Sequence, residues 1–216
     1  MSNPLSEVWT RITTCLGEHA STLTLRPGAS EATIAEVERA LGVELPADYR
    51  AWLRLHDGED DVEGRVEWLP AWGRLLPIAE TLERWRDEQE WAQTDVDESF
   101  GWLQDDDRIR GVVKHAKRIV IAGNRYGDGD NTYLDLIPGP AGTSGQVIVA
   151  TTECDFELVG TSFLDFLRRW ASAFEAGTLA VVPREDTNRV DWAVKENPWD
   201  RWEAALRQVD PALETV

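Results

Sequence analysis

Four short runs in the second half of the chain, "KRIVIAG", "TYLDLI", "QVIVAT" and "FELVG", alternate or cluster apolar residues at a period of two. Each is bounded by Gly, Asp, Asn, Pro or Ser. That pattern reads as β-strands joined by hairpins, because successive side chains of a strand point to opposite faces and turn residues end the pairing. Short connections of this kind predict an antiparallel meander. The following stretch, "TSFLDFLRRWASAFEAG", changes to helical spacing: Phe163, Phe166, Leu167, Trp170 and Phe174 fall on one face. Ser162 and Asp165 resemble a capping box with Asp in place of Glu, and Gly177 provides the stop.

The first half is helical. Leu5, Val8, Trp9, Ile12 and Leu16 form one stripe that Gly17 can end. "STLTLRPGAS" is a link with room for a short extended piece. Ser30 caps a second helix carrying Ile34, Val37 and Leu41, and Gly42 ends it. Pro46 suits the first turn of a third helix, in which Tyr49, Trp52, Leu53 and His56 share a face and Gly58 is the terminator. "VEWLPAWGRLLPI" reads as two short strands or irregular edges broken by Pro70 and Gly73. "AETLERWRDEQEWAQ" predicts a helix with Leu82, Trp85 and Ala92 inward. Beyond residue 178, "LAVVP" reads as an added edge strand and "NPWDRWEAALRQV" as a final helix. Residues 1–178 are expected to form one domain and 179–216 an extension packed on it.

The formal charge of −18 argues against nucleic-acid binding, because phosphates need a basic surface, and disfavours anionic membranes. No apolar run is long enough to cross a bilayer, and the start of the chain lacks the pattern of a secretory signal. With only Cys15 and Cys154, no disulfide framework or zinc site is expected, and both are read as partly buried reduced thiols in a cytoplasmic protein. The acidity is concentrated. Between residues 57 and 107, 17 carboxylates stand against four arginines, a local charge of −13. Tryptophans 68, 72, 91 and 102 lie in the same window. Aromatics supply buried contact area and charge supplies steering. The candidate partner-binding residues are therefore Asp57, Glu59, Asp60, Asp61, Glu63, Trp68, Trp72, Asp95, Asp97, Glu98, Trp102, Asp105, Asp106 and Asp107. The complementary partner is a protein with a basic surface.

Catalytic and metal motifs fail on inspection. "GNRYGDGDNTYLDL" places Asp128, Gly129 and Asp135 at positions 5, 6 and 12 of a calcium loop begun at Asn124. Position 3 is Tyr126, which offers no short oxygen ligand, and the flanks are strands instead of helices. A phosphate loop would need Lys and Ser/Thr entering a helix. "GTSG" lacks the spacing of a nucleophile elbow. His19, His56 and His115 lie in separate segments without ligand spacing. No cofactor, metal or catalytic residue is assigned, and the stretch from Gly123 reads as a hairpin turn with a strand after it.

Three segments in order carry a family resemblance: "IAEVERALGVELPADYRAWLRLHDG", "RIVIAGNRYGDGDNTYLDL" and "FELVGTSFLDFLRRW". Together, from Thr22 to Gly177, they resemble the SUKH superfamily of Smi/Knr-type domains. Val120 departs from the family's usual proline, and the acidic insert from 80 to 110 is long. The resemblance implies an α+β fold: a curved, mostly antiparallel sheet flanked by helices, here with a C-terminal helical extension. It also implies a non-catalytic binding protein. Many bacterial members are immunity proteins that block antibacterial toxins, and fungal relatives act as interaction hubs in cell-wall signalling. Leu45, Pro46, Tyr49, Gly58, Gly123, Asn124, Gly127, Asp128, Ser162 and Phe163 match structural positions. The resemblance transfers no partner-binding residue.

Overall fold

A computed structural model describes residues 3–61, 74–92, 106–112, 114–123, 130–150, 156–183 and 190–194. Helix α1 (Pro4–Leu16) begins where the Asn3 side chain accepts the Leu5 N–H and ends at Gly17, whose φ of 56° breaks the helical path. It buries Leu5, Val8, Ile12 and Leu16, while Trp9 is half-buried. A 3-10 turn follows over Gly17–Thr22, then strand β1 (Leu25–Pro27). Helix α2 (Glu31–Leu41) is capped by Ser30 Oγ, which accepts the Thr33 N–H at 3.1 Å, and stops at left-handed Gly42.

Helix α3 (Ala47–Leu55) ends sooner than expected. His56 is extended, and His56–Glu59 is strand β2, paired antiparallel with β1. Gly58 thus kinks a strand instead of terminating a helix. Its positive φ of 68° serves either use, so local sequence could not separate them. Strand β3 (Arg74–Leu75) leads into helix α4 (Ile78–Glu88) and a 3-10 turn at Gln89–Trp91. Ile78 and Thr81 are buried on α4, and Leu82 and Trp85 pack partly buried against the core. The Trp85 indole donates to the Ala116 carbonyl at 2.8 Å.

The four expected strands are all present: β4 (Arg118–Gly123), β5 (Asn131–Asp135), β6 (Gln146–Ala150) and β7 (Phe156–Gly160). With β3 they make a five-stranded antiparallel sheet in the order β3-β4-β5-β6-β7. The register sets two alternating rows. Ile119, Leu134 and Val147 align on one face, Val120, Tyr133 and Ile148 on the other. The first row joins the main core with the helices. The second forms a smaller cluster with Leu76, Ile109 and Leu158. Both faces are thus covered, which is why the strand runs are nearly continuously apolar.

Helix α5 (Phe163–Glu175) lies on the helical face. Ser162 Oγ accepts the Asp165 N–H, and Asp165 Oδ2 accepts the Thr161 N–H, so the expected capping box forms with Asp reaching one residue further back. A second carboxylate, Asp48 of α3, accepts the Leu164 N–H at 2.9 Å. Burial opposes the Asp165 charge, but Arg169 and the Thr161 donors outweigh it and hold this carboxyl below its ordinary range. Leu179–Pro183 is a strand, β8, but it does not extend the main sheet. It pairs with β9 (Val190–Val194) in a separate antiparallel pair. The expected C-terminal helix, and Trp202 with it, lies outside the described residues. Cys15 is an exposed free thiol and not a partly buried one. Among the described residues no helix is long and apolar enough to cross a membrane.

Candidate functional site

Fold geometry divides the candidate acidic residues into those already committed to the protein itself and those facing solvent. Glu59 belongs to the first group and corrects the expectation of a surface charge, since it is 0% exposed. Leu76 N–H points from β3 toward β4 and donates to Ile121. Leu75 N–H therefore points to the outer edge of the sheet, where Glu59 Oε2 accepts it at 2.8 Å. Arg74, also buried, donates to the Glu59 carbonyl and pairs with Glu80. The carboxylate closes the edge of β3 in place of another strand, a position that an unpaired strand edge makes valuable.

Asp57 is likewise committed. Helix α4 starts behind Pro77, which has no side chain able to cap it. Asp57 Oδ1 reaches across from β2 and accepts the Ile78 N–H at 2.8 Å. A carboxylate at a helix N-terminus satisfies an orphan donor and complements the helix dipole. Asp57→Ala should therefore lower unfolding free energy by about 1 kcal/mol, read as a shift of the urea midpoint at constant slope. An unchanged midpoint would remove the capping role.

Asp60 and Asp61 are exposed, and Asp60 pairs with Arg26 at 3.0 Å. Asp106 and Asp107 sit on a strap, residues 106–112, that lies against the second face of the sheet. Both oxygens of Asp106 engage Arg108: Oδ1 accepts the backbone N–H and Nε, and Oδ2 accepts Nη2 at 2.7 Å. Burial works against its charge, but these bonds hold its carboxyl below the usual range. Asp107 is exposed, and its carbonyl accepts the Ala141 N–H. Glu63, Trp68, Trp72, Asp95, Asp97, Glu98, Trp102 and Asp105 lie outside the described residues.

The strap is held by a buried polar network that no sequence motif marks. Arg118, 1% exposed, lies under it. Its Nη2 donates to the Arg110 carbonyl at 2.7 Å and its Nη1 to the Val112 carbonyl. Its Nε faces Asp135 Oδ1 at 3.4 Å, and its guanidinium carbon lies 4.8 Å from the Phe156 ring centre. Asp135, 0% exposed, also accepts Gln146 Nε2 at 3.0 Å and the Ile137 N–H at 3.1 Å. Gln146 Nε2 in turn donates to the Arg108 carbonyl at 2.9 Å. Burial draws the Arg118 guanidinium below the ordinary arginine range, and Asp135 opposes that pull. Asp135, the twelfth position of the rejected calcium template, is thus an internal counter-ion. The available signal was positional: Arg118, Asp135 and Gln146 are polar residues at the ends of otherwise apolar strand runs.

A pair of indoles and an imidazole pack where α1, α3 and β2 meet. His56 lies 5.5 Å from Trp9 and 4.9 Å from Trp52, centre to centre. Burial pulls its pKa down, and a backbone hydrogen bond with Arg26 opposes this. The arrangement is a half-buried aromatic contact.

These features define an α+β domain in which an antiparallel meander carries helices on one face and a polar-anchored strap on the other. A sequence model of the SMI1 / KNR4 family (SUKH-1) matches residues 28–169, and the chain belongs to that family. It is 30% identical over 210 residues to a protein of Schizosaccharomyces pombe described as "Cell wall biosynthesis/cell cycle regulator smi1". The alignment covers 91% of this chain and 41% of the yeast protein. The chain therefore spans about two-fifths of that relative's length.

Proposed function

We propose that the chain is a non-catalytic protein-binding module, and that its role is that of a cytosolic immunity protein which holds and blocks a cognate antibacterial toxin. Family membership carries this reading. The charge of −18 supports it, because an acidic surface steers a basic partner toward encounter. Of the strap's two carboxylates, Asp107 is the one free to act on a partner, since Asp106 is tied to Arg108. Asp107→Asn should slow association with the partner about two- to fivefold at low ionic strength, an effect that shrinks as salt is added. Stopped-flow association rates that ignore both the substitution and the salt would sink the steering role.

The yeast relative's description favours a second reading, a regulatory adaptor acting through a housekeeping partner. Co-expression separates the two. Under the immunity reading, a protein encoded beside this gene is toxic alone and tolerated when this chain is present. A harmless neighbour, with co-purification of cell-wall or cell-cycle proteins instead, would replace immunity with the adaptor role.

A further inference from the structure

Charge is scarce in one exposed part of an otherwise highly charged chain. Residues 136–152 contain no Asp, Glu, Lys, Arg or His, although 29% of the sequence is Asp, Glu, Lys or Arg. The first part of this run, residues 136–145, is the β5–β6 connection, and it is at the surface. Pro140 and Ala141 are exposed, and Ile137 and Pro138 are half-exposed. Ile137 belongs to neither apolar cluster. An aliphatic side chain at the surface of a loop, with two prolines beside it, is not explained by core packing. Depletion of charge is the compositional mark of the centre of a protein interface.

The loop is also held in one shape. Ile137 N–H donates to Asp135, Gly139 N–H to the Arg108 carbonyl at 2.9 Å, and Ala141 N–H to the Asp107 carbonyl at 3.1 Å. Thr143 N–H donates to Gln146 Oε1, and Gly145 N–H to the Asp135 carbonyl. Gly139 lets the strap approach: a Cβ there would stand 2.9 Å from the Asp107 carbonyl carbon. Gly145 sits against Pro46, where an added Cβ would lie 2.8 Å from Cγ, bringing the connection between α2 and α3 alongside. A contact surface that is already ordered loses little entropy on binding. The margins supply exposed carboxylates, Asp107 on the strap and Glu44 on the α2–α3 connection. The strap's exposed cation, Arg110, lies beyond them with its carbonyl held by Arg118.

We propose that residues 136–145 form the contact surface for a protein partner that presents an apolar side chain flanked by lysine or arginine. Ile137 and Pro140 take the apolar group, and Asp107 and Glu44 face the cations. This rests on the binding-module reading and places the contact at the loop end of the sheet instead of along the acidic insert.

The test pans a random peptide library displayed on phage against the full chain. The expected binders pair an aliphatic or aromatic residue with Lys or Arg. Ile137→Asp and Pro140→Asp should each weaken them at least about tenfold. The added negative charge would favour a cationic peptide, so such a loss reports the apolar contact. Ile137→Ser removes the same contact without adding charge and should act in the same direction, with circular dichroism showing each variant folded. Asp60→Asn should change binding less than about twofold. A library that yields no binder, or binders that keep full affinity for Ile137→Asp, Ile137→Ser and Pro140→Asp, overturns the proposal. A co-purified partner that binds while ignoring all three overturns the location and leaves the module reading standing.

Discussion

Replacing Arg118 with Met is expected to lower the free energy of unfolding by about 3–5 kcal/mol, the usual cost of leaving one half of a buried ion pair. Asp135 would stay fully buried with its charge uncompensated. The Arg110 and Val112 carbonyls would lose the donors that hold the strap, and a buried acceptor without a partner costs about 1–3 kcal/mol. Met keeps much of the aliphatic volume, so the loss isolates the guanidinium. Urea titration reads it directly. Replacing both partners, Arg118→Met with Asp135→Leu, should recover part of the loss, because no lone charge remains. A single substitution that costs less than about 1 kcal/mol would show that the network does not anchor the fold.

Gly58→Ala is the second large expectation. Gly58 has a φ of 68°, and a Cβ there would stand 2.5 Å from the Leu76 carbonyl carbon and 2.7 Å from its oxygen. Left-handed strain costs about 1–3 kcal/mol, and forcing the β2 and β3 segments apart adds about 1–3 kcal/mol. The sum is about 2–6 kcal/mol, and it strikes where Glu59 closes the β3 edge and Asp57 caps α4. Gly42 is the control. It has nearly the same φ, 69°, but nothing lies within 4 Å of its added Cβ. Gly42→Ala should cost about 1 kcal/mol. Equal losses at the two sites would mean that backbone conformation alone, and not crowding against β3, sets the cost at Gly58.

What could be read from the sequence followed local periodicity. The α1, α2 and α5 stripes, the Ser30 and Ser162 caps and the four strands of the meander each follow from residues close together in the chain. What could not be read depends on distant partners. Asp57 meets Ile78, Glu59 meets Leu75 and Asp48 meets Leu164 across gaps of 21, 16 and 116 residues. Composition counts each of these carboxylates as surface charge, whereas the fold uses them as caps and edge partners. The same limit hid β2. Its pairing with β1 is non-local, and a glycine after an apolar helix gives the same signal whether it ends the helix or bends the next strand. Arg118 shows the opposite case, a cation at a strand end that reads as solvated until the strap is laid over it.

The clasp between the first and last helices of the main core bears on how the chain is made. Arg11 of α1 binds Glu175 of α5 with two hydrogen bonds, at 2.8 and 2.6 Å. Leu5, Val8, Ile12 and Leu16 belong to the same core as Phe166 and Trp170. On the ribosome α1 emerges before α5, and this partner is synthesised more than 140 residues later. Contacts so far apart in sequence slow folding and leave apolar surface bare meanwhile. The amphipathic α1 therefore waits for its cover until α5 is made, and a chaperone would meet it in that interval.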